Sequence, residues 1–174
     1  MEETQMEEEK ILTLAVLVLL RRNNEVLLAR KTRKIGKGCW NGYGGGVEKG
    51  ETVRAAAVRE LSQETGGLPV EEEDLEQVAV IHFHNTRSDG GTHITEMHVF
   101  VTDTWSGQVH ATDEMATPTW FVVDEVPYDE LMPSDRDWMP LVLADKKIVA
   151  HAYLGPFQKE KQGTTTIEEV VSFT

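Results

Sequence analysis

Gly45 to Gly66 reads GGVEKGETVRAAAVRELSQETG, and its second half is the most decided stretch of the chain. Thr52 to Thr65 holds three consecutive alanines, other good helix formers, and no Gly or Pro, so it predicts a helix. Thr52 is placed to cap its start, and Gly66 to end it in a left-handed conformation. Val53, Ala56, Ala57 and Leu61 make one apolar stripe, the face such a helix would bury. Glu60 and Glu64 lie one turn apart and project from one face, with Gln63 leaning to the same side. Like charges at that spacing repel, and a divalent cation would offset the cost. Hard oxygen donors favour Mg²⁺ or Mn²⁺ over zinc.

Upstream, Gly42-Tyr43-Gly44-Gly45-Gly46 gives a backbone that can approach a ligand closely. It is read as a substrate-binding loop, with Tyr43, Gly45 and Gly46 as contacts. No Gly-Lys-Ser/Thr follows, so it is not a P-loop, and the spacing is wrong for a dinucleotide fingerprint. A glycine loop beside a helix of carboxylates suits a metal-bound polyphosphate.

Outward from this centre the pattern is mixed. Ile11–Leu20 is an apolar, β-branched run that predicts a strand, and Glu25–Arg30 the strand that returns after a turn at Asn23-Asn24. Lys34 to Gly50 has no apolar period and reads as loop. Leu75–His84, Thr95–Asp103, Thr117–Val123, Ile148–Leu154 and Thr165–Phe173 read as strands, Val126–Met132 and Ser134–Ala144 as helices. Without a regular alternation of strand and helix, the class is α+β, a mixed sheet sandwiched by helices.

The chain has 174 residues, which suits one domain, here residues 11–174. Residues 1–10 contain five glutamates and read as a solvated acidic extension. The net charge of −13 argues against a nucleic-acid polymer as partner. The single cysteine, Cys39, precludes an internal disulfide and fits a reducing, cytoplasmic setting. The first apolar run is too short for a membrane span. A monomer acting on a small nucleotide is expected.

Gly45, Glu51, Arg59, Glu60, Glu64 and Gly66 stand at the spacing of the Nudix box, which the segment resembles. That family pattern runs Gly, five residues, Glu, seven residues, then Arg-Glu-aliphatic-any-Glu-Glu-any-Gly-aliphatic. Chance agreement at these positions is roughly one in ten million per starting point. Two positions depart: Gln63 stands where the family has a glutamate, and Gly67 where it has an aliphatic residue. Gln63 offers an amide oxygen but no charge. Within the family the chain looks most like the MutT-type oxidised purine nucleoside triphosphatases, over nearly all of Leu12 to Phe173.

The resemblance implies a Nudix-type α/β/α sandwich and Mg²⁺-dependent cleavage of a nucleoside triphosphate, such as 8-oxo-dGTP, to monophosphate and pyrophosphate. It places the metal on the Gly44 carbonyl, Glu60, Gln63, Glu64 and the distant Glu114. Glu60, Glu64 and Arg59 are the catalytic set, with Arg59 and Glu51 orienting carboxylates; either glutamate could take the proton from water. Asn41 would bond the base, Lys31 lie near the phosphates, and Thr13 near sugar or base. Phe83 and Trp138 would wall the base pocket, and Asp135 face the base edge. Mammalian members read Trp-Pro-Asp-Asp where this chain has Met132-Pro133-Ser134-Asp135. An aromatic wall becomes the thioether of Met132, and Ser134 removes one of two coupled carboxyls.

Other readings stay open. A Nudix hydrolase of another modified nucleotide fits the same motif, and Gln63 motivates a non-catalytic nucleotide-binding module. His82-Phe83-His84 puts two imidazoles on one strand face. With no cysteine near and no third histidine at a ligand spacing, the sequence does not support zinc there. His98 is read as satisfying a hydrogen bond in a strand.

Overall fold

The computed structural model describes Glu9 and residues 12–173. The rest of the acidic extension, and Ile11, lie outside the described residues. Glu9 is tied to the body of the domain at its surface. Its carboxylate accepts from the Ser88 amide at 2.8 Å, the Ser88 hydroxyl at 2.6 Å and the Phe157 amide at 2.7 Å.

Among the described residues, nine strands form one sheet. They are β1 (Leu14–Arg22), β2 (Glu25–Lys31), β3 (Trp40–Asn41), β4 (Tyr43–Gly46), β5 (Glu76–Thr86), β6 (Thr92–Thr102), β7 (Met115–Val122), β8 (Lys147–Leu154) and β9 (Thr166–Val170). The main path runs β3-β2-β1-β6-β5-β8-β9, with β4 paired to β1 and β7 to β2. β1 is parallel to β6, and β5 is parallel to β8; the other pairs are antiparallel, so the sheet is mixed. Helix α1 (Val53–Thr65) lies on one face and α2 (Asp135–Leu143) on the other. This is the α/β/α sandwich expected from the sequence.

β1 shows why the sequence hides its strand period. Val16, Val18 and Leu20 pack in the cluster with Ala56, Ala57 and Leu61 of α1. Leu17 and Leu19 pack in the opposite cluster with Trp138, Met139 and Val142 of α2. A strand covered on both faces reads as a continuous apolar run rather than an alternation. Helix α1 starts and stops where its caps direct. The Thr52 hydroxyl accepts from the Ala55 amide at 3.1 Å, and Gly66 takes φ 81°.

Two sequence expectations need correction. Lys34–Gly50 is not all loop, because β3 and β4 lie within it. β4 is nearly all glycine, so its pairing with β1 leaves no side-chain pattern to read. A Cβ on Gly44 would fall 2.0 Å from the Val16 carbonyl oxygen, so the close approach requires glycine. Val126–Met132 is not a helix either. It holds a single 3₁₀ turn, Tyr128–Glu130, bracketed by Pro127 and Pro133, which leave too few residues for an α-helix. Elsewhere only strand ends shift by a few residues.

Candidate active site

Helix α1 and strand β4 build the centre between them. Glu64 is buried, and its carboxylate accepts from the Gly44 amide at 3.1 Å. Burial, with Glu60 and Glu114 nearby, lifts its pKa to about 8, against the partial relief of the Gly44 N–H. Glu60 packs its carboxyl group against the α-carbon of Gly45, where an added Cβ would lie 2.6 Å from Cδ. Gly45 therefore makes room for Glu60. Arg59 spans three acceptors. It forms two bonds of 2.8 Å to Glu51, one of 2.9 Å to the Gly46 carbonyl and one of 2.7 Å to Glu60. The guanidinium beside Glu51 holds that carboxyl down to about 2.

Gln63 is exposed, with its amide oxygen 3.5 Å from Arg59. Glu114 comes from the turn before β7 and is brought to the same centre, close enough to raise the pKa of Glu64. That turn is pinned to α1, since the Thr112 hydroxyl donates to the Glu64 carbonyl at 3.1 Å. The Glu114 carboxylate is hydrogen-bonded to Arg33, which lowers its pKa. The sequence reading missed Arg33; its place in the basic run Lys31–Lys37 was the only available signal.

This donor set is hard, anionic and partly desolvated, the chemistry that a hard divalent cation needs. Among the described residues, no three ligating side chains converge on one point; Glu60 is bonded to Arg59 and Glu114 to Arg33, each through one oxygen. A cation would share those carboxylates with the arginines and relieve the cost of ionising Glu64.

A second set of groups lies beside Lys31. The ammonium is half-buried at the end of β2, and desolvation lowers its pKa against the pull of Glu64 and Glu114. The Lys31 amide donates to the Cys39 carbonyl at 2.9 Å, and burial together with the charge of Asp135 raises the Cys39 thiol pKa against the pull of Lys31. A Cβ on Gly36 would touch both Met132 Sδ at 2.8 Å and Lys31 Cδ at 3.4 Å, so Met132 closes on the same place.

Asp135, the first residue of α2, is buried and holds its proton up to about pH 7, chiefly through desolvation. It accepts from the Met132 amide at 3.2 Å. Around it the Ser134 hydroxyl, the Tyr128 hydroxyl and the Trp138 indole nitrogen are buried without a well-formed hydrogen bond. The indole is still near enough to favour the Asp135 anion. Buried polar groups are normally paired, so such a cluster is a standing demand for a polar ligand edge. Sequence reasoning missed Tyr128, which lies seven residues before Asp135 and feels its charge.

The remaining expected residues divide. Phe83 on β5 and Trp138 on α2 share the α2-side core. Asn41 on β3 uses its side-chain oxygen to accept from the Gly42 amide at 2.9 Å. Thr13 is exposed just before β1, and Gly46 lies against Leu12. Tyr43 is the exception. Its side chain is buried in the α1-side core beside Glu64, on the other face of the sheet from Phe83 and Trp138, so it does not line the base pocket. The alternation of a strand turned it inward.

The NUDIX domain model matches residues 11–142. The chain belongs to the Nudix family and is a Nudix hydrolase, a class that generally uses a divalent metal. It is 37% identical over 163 residues to a Mus musculus protein named oxidized purine nucleoside triphosphate hydrolase, covering 92% of this chain and 97% of that one. A Danio rerio protein of the same name is 38% identical over 138 residues, covering 79% and 84%. Among solved structures, a MutT protein from Bacillus halodurans superposes with a TM-score of 0.73 at 21% identity, covering 90% of this chain and 98% of that one, which speaks to the fold. No helix among the described residues is long and apolar enough to cross a membrane.

Proposed function

We propose that the chain hydrolyses oxidised purine nucleoside triphosphates, with 8-oxo-dGTP as the type substrate, to the monophosphate and pyrophosphate. One observation carries this reading. Lys31 joins an acidic centre suited to metal-bound phosphates to a buried polar pocket suited to a purine edge. The likeness of 92% and 79% of the chain to the mouse and zebrafish hydrolases supports the same substrate class.

The Gly44 carbonyl, Glu60, Glu64 and Glu114 would hold Mg²⁺, with the amide of Gln63 at the margin. When bound, the cation supplies charge neutralisation for the phosphates and the departing pyrophosphate. The chain's own groups do the rest. Lys31 meets phosphate charge at the junction of the two sites. Arg59 keeps Glu60 pointed at the centre. Glu64, kept ionised by a bound cation, accepts the proton of the attacking water. Asp135, Ser134 and Asn41 contact the base edge, Met132 closes over it, and Phe83 and Trp138 back the pocket. The enzyme works as a cytosolic monomer.

The test is a panel of ordinary and oxidised triphosphates incubated with Mg²⁺, with nucleotide products separated and pyrophosphate quantified. Oxidised purines should be preferred, and Glu64→Gln should lose at least about 100-fold in turnover. Equal use of ordinary triphosphates would remove the proposed specificity. An active Glu64→Gln variant would remove the site, and tight binding without turnover would turn the protein into a nucleotide sensor.

A further inference from the structure

The two strand histidines that the sequence left without a third partner acquire one across the sheet. His82 and His84 share a face of β5, and β8 places His151 directly opposite His82 in parallel register. The ring nitrogens His84 Nε2 and His151 Nδ1 face each other at 2.9 Å. The rings of His82 and His151 stack at 4.6 Å and 12°. On the other side of β5, Glu96 of β6 is the register partner of His82. All four side chains are half-buried. They occupy the sheet face opposite Phe83, on the α1 side, with β1 and β6 between the histidines and the glycine strand β4 of the acidic centre.

Two imidazoles two residues apart on a strand, a third on the adjoining strand and a carboxylate beside them form a donor set that borderline metals use. Only one proton can lie between His84 Nε2 and His151 Nδ1. A metal replacing it needs the nitrogens about 3.3 Å apart for tetrahedral bonds of about 2.0–2.1 Å. The pair is therefore within a few tenths of an ångström of a two-point clamp. His82 must turn from its stacked position to become the third ligand, which is why no set of three converges as the rings now stand. Desolvation and the neighbouring imidazole both lower the basicity of His82 and His84, which keeps their lone pairs available near neutral pH. Glu96 pairs with His98 Nε2 through one oxygen at 3.3 Å, and its other oxygen can complete the coordination or accept the outer N–H of His82.

We propose that His82, His84, His151 and Glu96 form a second metal site, specific for a borderline transition ion such as Zn²⁺ and separate from the Mg²⁺ centre. Its ion would tie β8 to β5 and steady the outer half of the sheet.

The probe is Co²⁺ or Zn²⁺ itself, added to the full chain in excess Mg²⁺ so that the acidic centre is already filled. Bound metal after dialysis, the visible absorption of Co²⁺ and the histidine imidazole NMR signals are read together. One tightly held ion per chain is expected, with shifts at His82, His84 and His151. His151→Gln and His84→Gln should each weaken binding by at least about tenfold, while Glu64→Gln leaves it unchanged. No retained ion, or an ion lost with Glu64→Gln and kept with His151→Gln, overturns the proposal. If either histidine variant misfolds, the wild-type NMR titration decides alone: unmoved imidazole signals refute the site. Failure here leaves the triphosphatase reading untouched.

Discussion

Gly45→Ala isolates what the close packing of β4 against α1 does for Glu60. A methyl group at position 45 would fall 2.6 Å from Glu60 Cδ and 2.7 and 2.8 Å from its two oxygens. Ordinary carbon contacts begin near about 3.5 Å, so the carboxylate must retreat by about 1 Å. The obstacle is the far end of a flexible side chain, so the fold can yield. A strained rotamer and a weakened bond to Arg59 together cost about 1–2 kcal/mol. That lowers the melting temperature of a domain this size by roughly 2–8 °C. A misplacement of that size at a reacting centre costs about 100-fold in rate. The assay pairs thermal melting with turnover of the best substrate at saturating Mg²⁺. A folded variant with near wild-type turnover would show that the position of Glu60 is immaterial. Gly44→Ala is the contrast: its Cβ would meet the Val16 backbone oxygen at 2.0 Å, and the variant should fail to fold.

Three further outcomes are expected. Asp135 holds its proton up to about pH 7, so its contribution to stability is full below the unfolded-state pKa and is lost as pH rises through about 7. Asp135→Asn should flatten the fall in melting temperature between pH 5 and 8, a difference on the order of 2–4 kcal/mol; an unchanged pH profile would contradict it. Glu64, raised to about 8, follows the same sign without metal. In chelator, Glu64→Gln should melt above wild type at pH 8 and alongside it at pH 5, and added Mg²⁺ should raise only the wild type. Trp138→Ala should cost about 3–5 kcal/mol in denaturant unfolding, since the indole is fully buried; a loss under about 1 kcal/mol would mean the core closes over the gap.

The motif helix was legible because everything that defines it is local. Caps, apolar stripe and carboxylate spacing all lie within Thr52–Gly66, and the structure uses each. β4 was illegible for the opposite reason. Its strand pairing is backbone against backbone, and glycine carries no side-chain signal. Tyr43 was read as a substrate contact because its neighbours form a glycine loop, whereas β4 alternation turns its side chain under α1. Arg33 and His151 matter only through partners far along the chain, and a single sequence does not show those contacts. Val126–Met132 failed on proline: composition suggested a helix, but Pro127 and Pro133 left space for one turn.

Arg59 has a consequence for how this enzyme can be altered. Its guanidinium binds Glu51, the Gly46 carbonyl and Glu60 at once, so the bonds that lock the start of α1 to β4 also aim the catalytic carboxylate. A lysine would keep the charge but could not span three acceptors in a fixed plane. In many enzymes a residue can be traded between robustness and speed. Here one side chain serves both ends, so variants selected for durability at this junction should also be the faster ones.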